Sequence, residues 1–323
     1  MEFRTKVDIP PNEKKIDHAS GILLMGSCFA DYMGSKLKLL KFNVSHNPFG
    51  VLYNPMSIAV NLGTLIHREL FTESDLYYFN KRWISFYHYT SFSDPEKSNA
   101  LKKINESIKS ASAILADAKF LFITFGTSWV YEFLKTGKIV ANCHKIPARQ
   151  FRRFLLNADD IAEVFDKLIP VLNEFNPGLE IIFTVSPIRH LKDGATGNQV
   201  SKSVLFVAIH RLLQKHQKTG YFPAYEIFMD ELRDYRFYAG DMVHPSEVAV
   251  DYIWERFSEA YMTGETISVL KEADKLIKAR NHRPFSPDSP DYFEFREKML
   301  KKTKDLQLKY PFLDLSEELK FFS

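Results

Sequence analysis

Cysteine is nearly absent from this chain. Its 323 residues hold two, Cys28 and Cys143, so a disulfide framework is excluded. No Cys-x-x-Cys or His-Glu-x-x-His spacing accompanies them, which removes the common zinc patterns, and no metal or organic cofactor is called for. Glycine is sparse at 13 residues and charges of both signs are interspersed, which argues against long disordered tracts. The net charge is +3 against 43 basic and 40 acidic residues. That balance leaves no electrostatic footprint for nucleic acid or an anionic membrane surface. No window approaches the ~18 apolar residues of a membrane span. Residues 1–8 lack the apolar core of a signal peptide. The expectation is a cytoplasmic protein with neither a nucleic-acid nor a membrane partner.

Apolar residues, by contrast, are plentiful. They make up 45% of the chain, with aromatics at 14%, enough for a sizeable core. Short apolar runs read as buried strands at 21–25, 41–44, 119–125 and 179–185, with a last one within 221–229. Helical spacing fills 32–40, 56–65, 99–116, 158–173, 201–216 and 246–261. Strands without polar alternation, separated by helices, predict a parallel sheet covered on both faces. Residues 70–98 are aromatic and irregular and read as an insertion that covers or borders a site. Past residue 265 the pattern becomes two charged helices around a proline-rich connector. This divides the chain into a domain over 1–264 and a helical C-terminal extension over 265–323, an appendage or homo-oligomer contact.

In open parallel sheets the reactive residues gather where the strands end. Gly26-Ser27, Asn47 to Gly50, Gly126-Thr127-Ser128 and Ser186-Pro187 each follow a predicted strand. A serine hydroxyl needs a base within reach, and the base needs an orienting partner. Asp241-Met242-Val243-His244 supplies both: His244 as base, Asp241 to fix its tautomer, and Pro245 to set the turn into the next helix. Ser27 is the nucleophile that this pair asks for, although alone it would serve equally as a helix N-cap. An oxyanion needs donors. The candidates are the backbone N–H groups of Ser27 and Gly50, and a third from Ser128, with Thr127 and Asn142 as rivals. Cys28 is placed in the core. Ser186, Arg189 and His190 follow a strand end and belong at the pocket, where Arg189 either holds an anionic group or pairs with a carboxylate. Ser201-Lys202 reads as a helix cap followed by a solvated lysine.

Gly26-Ser27-Cys28-Phe29-Ala30 resembles the signature of the GSCFA-domain family, a branch of the SGNH/GDSL hydrolases. The resemblance extends through Asn47-Pro48-Phe49-Gly50, Thr124 to Trp129, Thr184 to His190, Ser201-Lys202-Ser203, Tyr221 to Glu226 and Asp241 to Ser246. It implies a flavodoxin-like three-layer α/β/α fold with a parallel central sheet. It implies ester hydrolysis by Ser27, Asp241 and His244 with Gly50 as an oxyanion donor, and a small-molecule or glycan ester as substrate. One departure stands out: the superfamily's Gly-x-Asn is Gly126-Thr127-Ser128 here. The alternatives are an O-acyltransferase with the same triad, or a binding protein that has kept the fold without the chemistry.

Overall fold

The computed structural model describes residues 5–323, so the first four residues of the segment read above for a signal peptide lie outside the described residues. The strands are β1 (Gly21–Gly26), β2 (Val44–His46), β3 (Tyr77–Phe79), β4 (Arg82–Ile84), β5 (Ala118–Phe125), β6 (Trp129–Phe133), β7 (Lys138–Val140), β8 (Phe151–Leu155), β9 (Glu180–Val185) and β10 (Thr219–Tyr221). The helices are α1 (Cys28–Leu39), α2 (Pro55–His67), α3 (Lys97–Asp117), α4 (Ala158–Phe175), α5 (Gly194–Lys215), α6 (Ala224–Glu226), α7 (Glu247–Tyr261), α8 (Gly264–Asn281), α9 (Pro290–Lys309) and α10 (Ser316–Phe322).

Five strands form a parallel sheet in the order β10-β9-β5-β1-β2, flanked by helices in a three-layer α/β/α arrangement. Counted within this sheet alone, that is the flavodoxin-like order 2-1-3-4-5. The strand order reverses between β1 and β5, so their carboxyl ends part to leave a crevice there. One sheet face carries Leu23, Met25, Leu121, Ile123, Phe125, Ile181, Phe183 and Val185, packed in one core with Leu62, Ile108, Phe165 and Leu205 of the helices. The Phe125, Phe165 and Phe183 rings meet at centroid distances of 5.2 to 5.7 Å, each burial worth roughly 2 kcal/mol. Ile22, Leu24, Phe120, Phe122 and Ile182, on the other face, are buried too. This double burial is why the strands read as unbroken apolar runs.

Helix starts follow local chemistry. Asn54 accepts the Ser57 N–H at 2.8 Å ahead of Pro55, and Asn157 and Asp160 form a reciprocal capping box before α4. Two expectations are corrected. The second strand lies at 44–46 and not 41–44, because Lys41 takes a left-handed turn (φ 68°). The last strand is short, and 224–231 is helical, ending in a π turn.

The aromatic segment builds a small satellite core. Tyr77, Phe79, Ile84 and Phe86 pack with Phe133 and Phe151 of the antiparallel sheet β7-β6-β8. His88, fully buried, sits among Phe49, Phe71 and Phe92 at 4.9 to 5.0 Å.

The described residues divide into two compact units: residues 5–9, 21–34 and 44–255, and residues 10–20, 35–43 and 256–323. In the second, Val269, Leu276, Met299, Leu306, Leu315 and Phe322 share a core. There the fully buried Glu318 carboxylate is met by Lys41 at 3.0 Å and Arg280 at 2.9 Å. Among the described residues no helix is long and apolar enough to cross a membrane.

Candidate active site

The site grows from the ends of β1, β5 and β9. β1 ends in Gly26 at φ 141°, and Ser27 then opens α1. The segment after β2 is laced to this end. Asn47 Oδ1 accepts the Gly26 N–H at 2.9 Å, and the Leu52 N–H donates to the Gly26 carbonyl at 2.8 Å. That lacing brings Tyr53 over the crevice, where its carbonyl accepts the N–H groups of Gly126 (2.8 Å) and Thr127 (2.9 Å) after β5. Lys202 of α5 fastens the same edge, donating to the carbonyls of Gly126 at 2.8 Å and Ser186 at 2.6 Å.

The turn before α7 delivers His244. Asp241 Oδ1 accepts the N–H groups of Val243 and His244, both at 2.9 Å, while Oδ2 lies 2.6 Å from His244 Nδ1. With the proton on Nδ1, Nε2 is left to act as base. Hydrogen bonds from the His244 backbone, then the Val243 backbone, then the imidazole hold the Asp241 carboxyl at about 2. It stays ionised throughout the neutral range.

Ser27 and His244 line one cavity of about 280 Å³, together with Cys28, Tyr53, Thr127 and Ser186. Ser27 is 1% exposed, and its hydroxyl accepts the Phe29 N–H at 3.4 Å, a long capping contact. No hydrogen bond joins Ser27 to His244 among the described residues. Catalytic hydrogen bonds are often open until substrate arrives.

Ile188, Arg189 and His190 complete the wall from the β9 side, with Val243 opposite. The His190 ring meets Tyr53 edge-on at 5.3 Å, and its Nε2 is buried without a partner. Burial, then the charges of Lys202 and His244, lowers its pKa to about 4, so the ring is neutral at physiological pH.

Several residues proposed from sequence sit elsewhere. The Gly50 N–H donates to the Asn47 carbonyl at 2.7 Å and is committed to that turn. Ser128 is fully buried and its hydroxyl donates to the Ser201 carbonyl at 3.0 Å. The Asn142 amide donates to Thr90 Oγ1 at 3.1 Å, and its oxygen accepts the His144 N–H at 2.9 Å. None of these three lines the cavity. The Ser27 N–H points at the Thr124 carbonyl, 3.3 Å away. No residue of 70–98 lines the cavity either; Tyr77, Phe79 and Phe86 pack in the satellite core instead. Cys28 is not a core residue, since its Sγ lies 3.6 Å from the Tyr53 hydroxyl on the cavity wall. Lys202 is fully buried and lies inside α5, not at a solvated helix start. Burial, then the Arg189 charge, lowers its pKa to about 7. Tyr53 was missed; nothing in its local pattern marks it, because a tertiary hydrogen bond places it. Among the described residues no cluster of three or more His, Cys, Asp or Glu side chains is placed to hold a metal ion.

The buried imidazoles make acid stability a measurable property. Burial, then the nearby His144 charge, lowers the pKa of His88 to about 3, and that of His190 is about 4. Both folded values lie below the free imidazole value, so the unfolded chain binds more protons between about pH 6.5 and 4. Stability is therefore complete above pH 6.5 and falls as the pH drops through that window. Urea denaturation at pH 7.5 and pH 5 gives a loss of roughly 2 kcal/mol per ring. His88→Phe removes its share of the slope; an unchanged slope would place the proton uptake elsewhere.

Among curated proteins none matches the chain. Among solved structures it is similar to one described as "a putative platelet activating factor from Streptococcus pneumonia", at 11% identity and a TM-score of 0.36, covering 74% of this chain and 83% of that chain. Residues 273–323 match the model of the GSCFA domain protein C-terminal domain. The GSCFA family model matches residues 21–257, the stretch that carries the sheet, Ser27 and the Asp241-x-x-His244 turn, and the chain belongs to the GSCFA family.

Proposed function

We propose that this chain is a serine hydrolase of the SGNH/GDSL kind that cleaves carboxylic esters. The observation that carries the reading is the shared cavity: Ser27 and His244 line it together, and Asp241 Oδ2 lies 2.6 Å from His244 Nδ1. Ser27 Oγ attacks the ester carbonyl carbon as its proton passes to His244 Nε2. The Asp241 carboxylate stabilises the imidazolium. The tetrahedral intermediate collapses, the C–O bond to the alcohol breaks, and the alcohol leaves with the proton from His244. Water, activated by the same imidazole, then releases the acid and restores Ser27. The oxyanion lies at the first turn of α1, where the Cys28 N–H and the positive end of the helix dipole favour negative charge. The Ser27 N–H joins it by giving up its long bond to Thr124.

A second reading has its own support. The Gly50 N–H and the Ser128 hydroxyl are both engaged within the protein, so these two oxyanion donors named from sequence are not preformed. A binding protein on the same fold would look like this. A fluorophosphonate probe separates the two. The hydrolase becomes covalently labelled, and Ser27→Ala loses the label while melting at the same temperature. Folded wild-type protein that resists the probe favours the binder.

A further inference from the structure

The charges around the cavity do not balance. Arg189 lines it, donates from one terminal nitrogen to Met229 Sδ at 3.4 Å, and buries Nε without a partner. A sulfur is a weak acceptor for a guanidinium. Two acids of the following segment are engaged elsewhere: Glu226 accepts the Tyr221 hydroxyl at 2.8 Å, and Asp230 pairs with Arg233 at 2.7 Å. Lys202 is fully buried, hydrogen-bonds to carbonyls and brings no countercharge for Arg189 either. Among the described residues that line the cavity none is a carboxylate, and His244 claims Asp241 behind it. His190 and the hydroxyls of Ser27, Tyr53, Thr127 and Ser186 are neutral at physiological pH and bring no countercharge.

Other arginines of the same unit do find carboxylates. Arg153 grips Asp193 through two bonds at 2.6 and 2.5 Å, and Arg152 meets Glu132 at 2.6 Å. Leaving a half-buried guanidinium without a carboxylate costs stability unless a ligand supplies the anion. Guanidinium geometry suits a carboxylate or phosphate, which it engages through two parallel bonds.

We propose that Arg189 is an anion subsite of the Ser27–His244 cavity, and that the ester this chain takes carries a carboxylate or phosphate group. The proposal rests on the hydrolase reading for the ester, but the anion site stands on its own geometry. Lys202 stays at its carbonyl contacts and does not touch the ligand.

Calorimetry on Ser27→Ala protein, which cannot turn a ligand over, tests the site directly. Three probes suffice: monomethyl succinate, phenyl phosphate and the neutral methyl butyrate. One of the anions is expected to bind about 10–100-fold more tightly than the neutral ester, as charge-assisted hydrogen bonds give. Which one prevails separates a carboxylate substrate from a phosphate one. Adding Arg189→Gln brings that anion down to the neutral ester's affinity, and Arg189→Lys recovers part of the preference. Thermal melts of both variants check that they fold. Equal or undetectable binding of all three probes overturns the proposal, and so does a preference that survives Arg189→Gln. None of these titrations requires acyl transfer. The anion site can therefore fail while the fluorophosphonate still labels Ser27, or hold while labelling fails.

Discussion

If the chain is the proposed hydrolase, Ser27→Ala and His244→Ala are each expected to lower ester turnover by about 10⁴- to 10⁶-fold, with the double variant losing no more than the worse single. The reason is that the two side chains act as one device. Without an imidazole, the Ser27 hydroxyl keeps its proton at neutral pH and is a poor nucleophile. Without the hydroxyl, His244 Nε2 has no covalent intermediate to build. Asp241→Asn costs less, about 10²- to 10⁴-fold. Its carboxylate is half exposed, so water replaces part of the charge stabilisation, and the asparagine oxygen still accepts the Val243 and His244 N–H groups that hold the turn. Steady-state kcat and KM on a nitrophenyl ester, measured for the wild type, the singles and the double, decide the matter. Losses that multiply in the double would show two independent contributions and break the triad into separate parts.

The parallel sheet was legible because β1, β5 and β9 are buried on both faces, and an apolar run is what that burial demands. The strand-end serine and the Asp-x-x-His turn were legible for a related reason: a parallel sheet sends its loops to one edge. β6, β7 and β8 escaped notice. They are three to five residues long and half exposed, with no periodicity to separate them from a loop. α5 was placed seven residues short, since Gly194 to Val200 is mostly small and polar and yet forms its first two turns. Charge in a sequence signals solvent, and Lys202 is buried instead. Two convergent carbonyls at the ends of β5 and β9 supply its partners, and no local pattern announces them. The engagement of the Gly50 N–H is hidden from sequence for the same reason. Whether an N–H is available depends on which carbonyl has taken it, and Asn47 had already taken that of Gly50.

Gly26→Ala is expected to destabilise the chain by about 3 kcal/mol or more and to weaken Ser27 labelling even in the fraction that folds. Gly26 pairs with Thr124 across β1 and β5. A Cβ built there would lie 2.1 Å from the Thr124 carbonyl oxygen and 2.9 Å from its carbon. Those are backbone atoms in the middle of the central sheet, so neither a rotamer change nor a loop adjustment relieves the contact. The φ of 141° adds strain of its own for any residue with a side chain. The sheet must therefore part where β1 hands over to α1, and Ser27 moves with it. Gly137→Ala serves as the control, because its φ of 66° is also positive but a Cβ would meet nothing within 4 Å; it costs about 1 kcal/mol and leaves labelling alone. Urea denaturation of both variants, with fluorophosphonate labelling rates at a temperature where each is folded, separates backbone strain from the clash. If Gly26→Ala behaves like Gly137→Ala, β1 and β5 have slack at this point, and the glycine that precedes the nucleophile is a turn residue and not a seat for it.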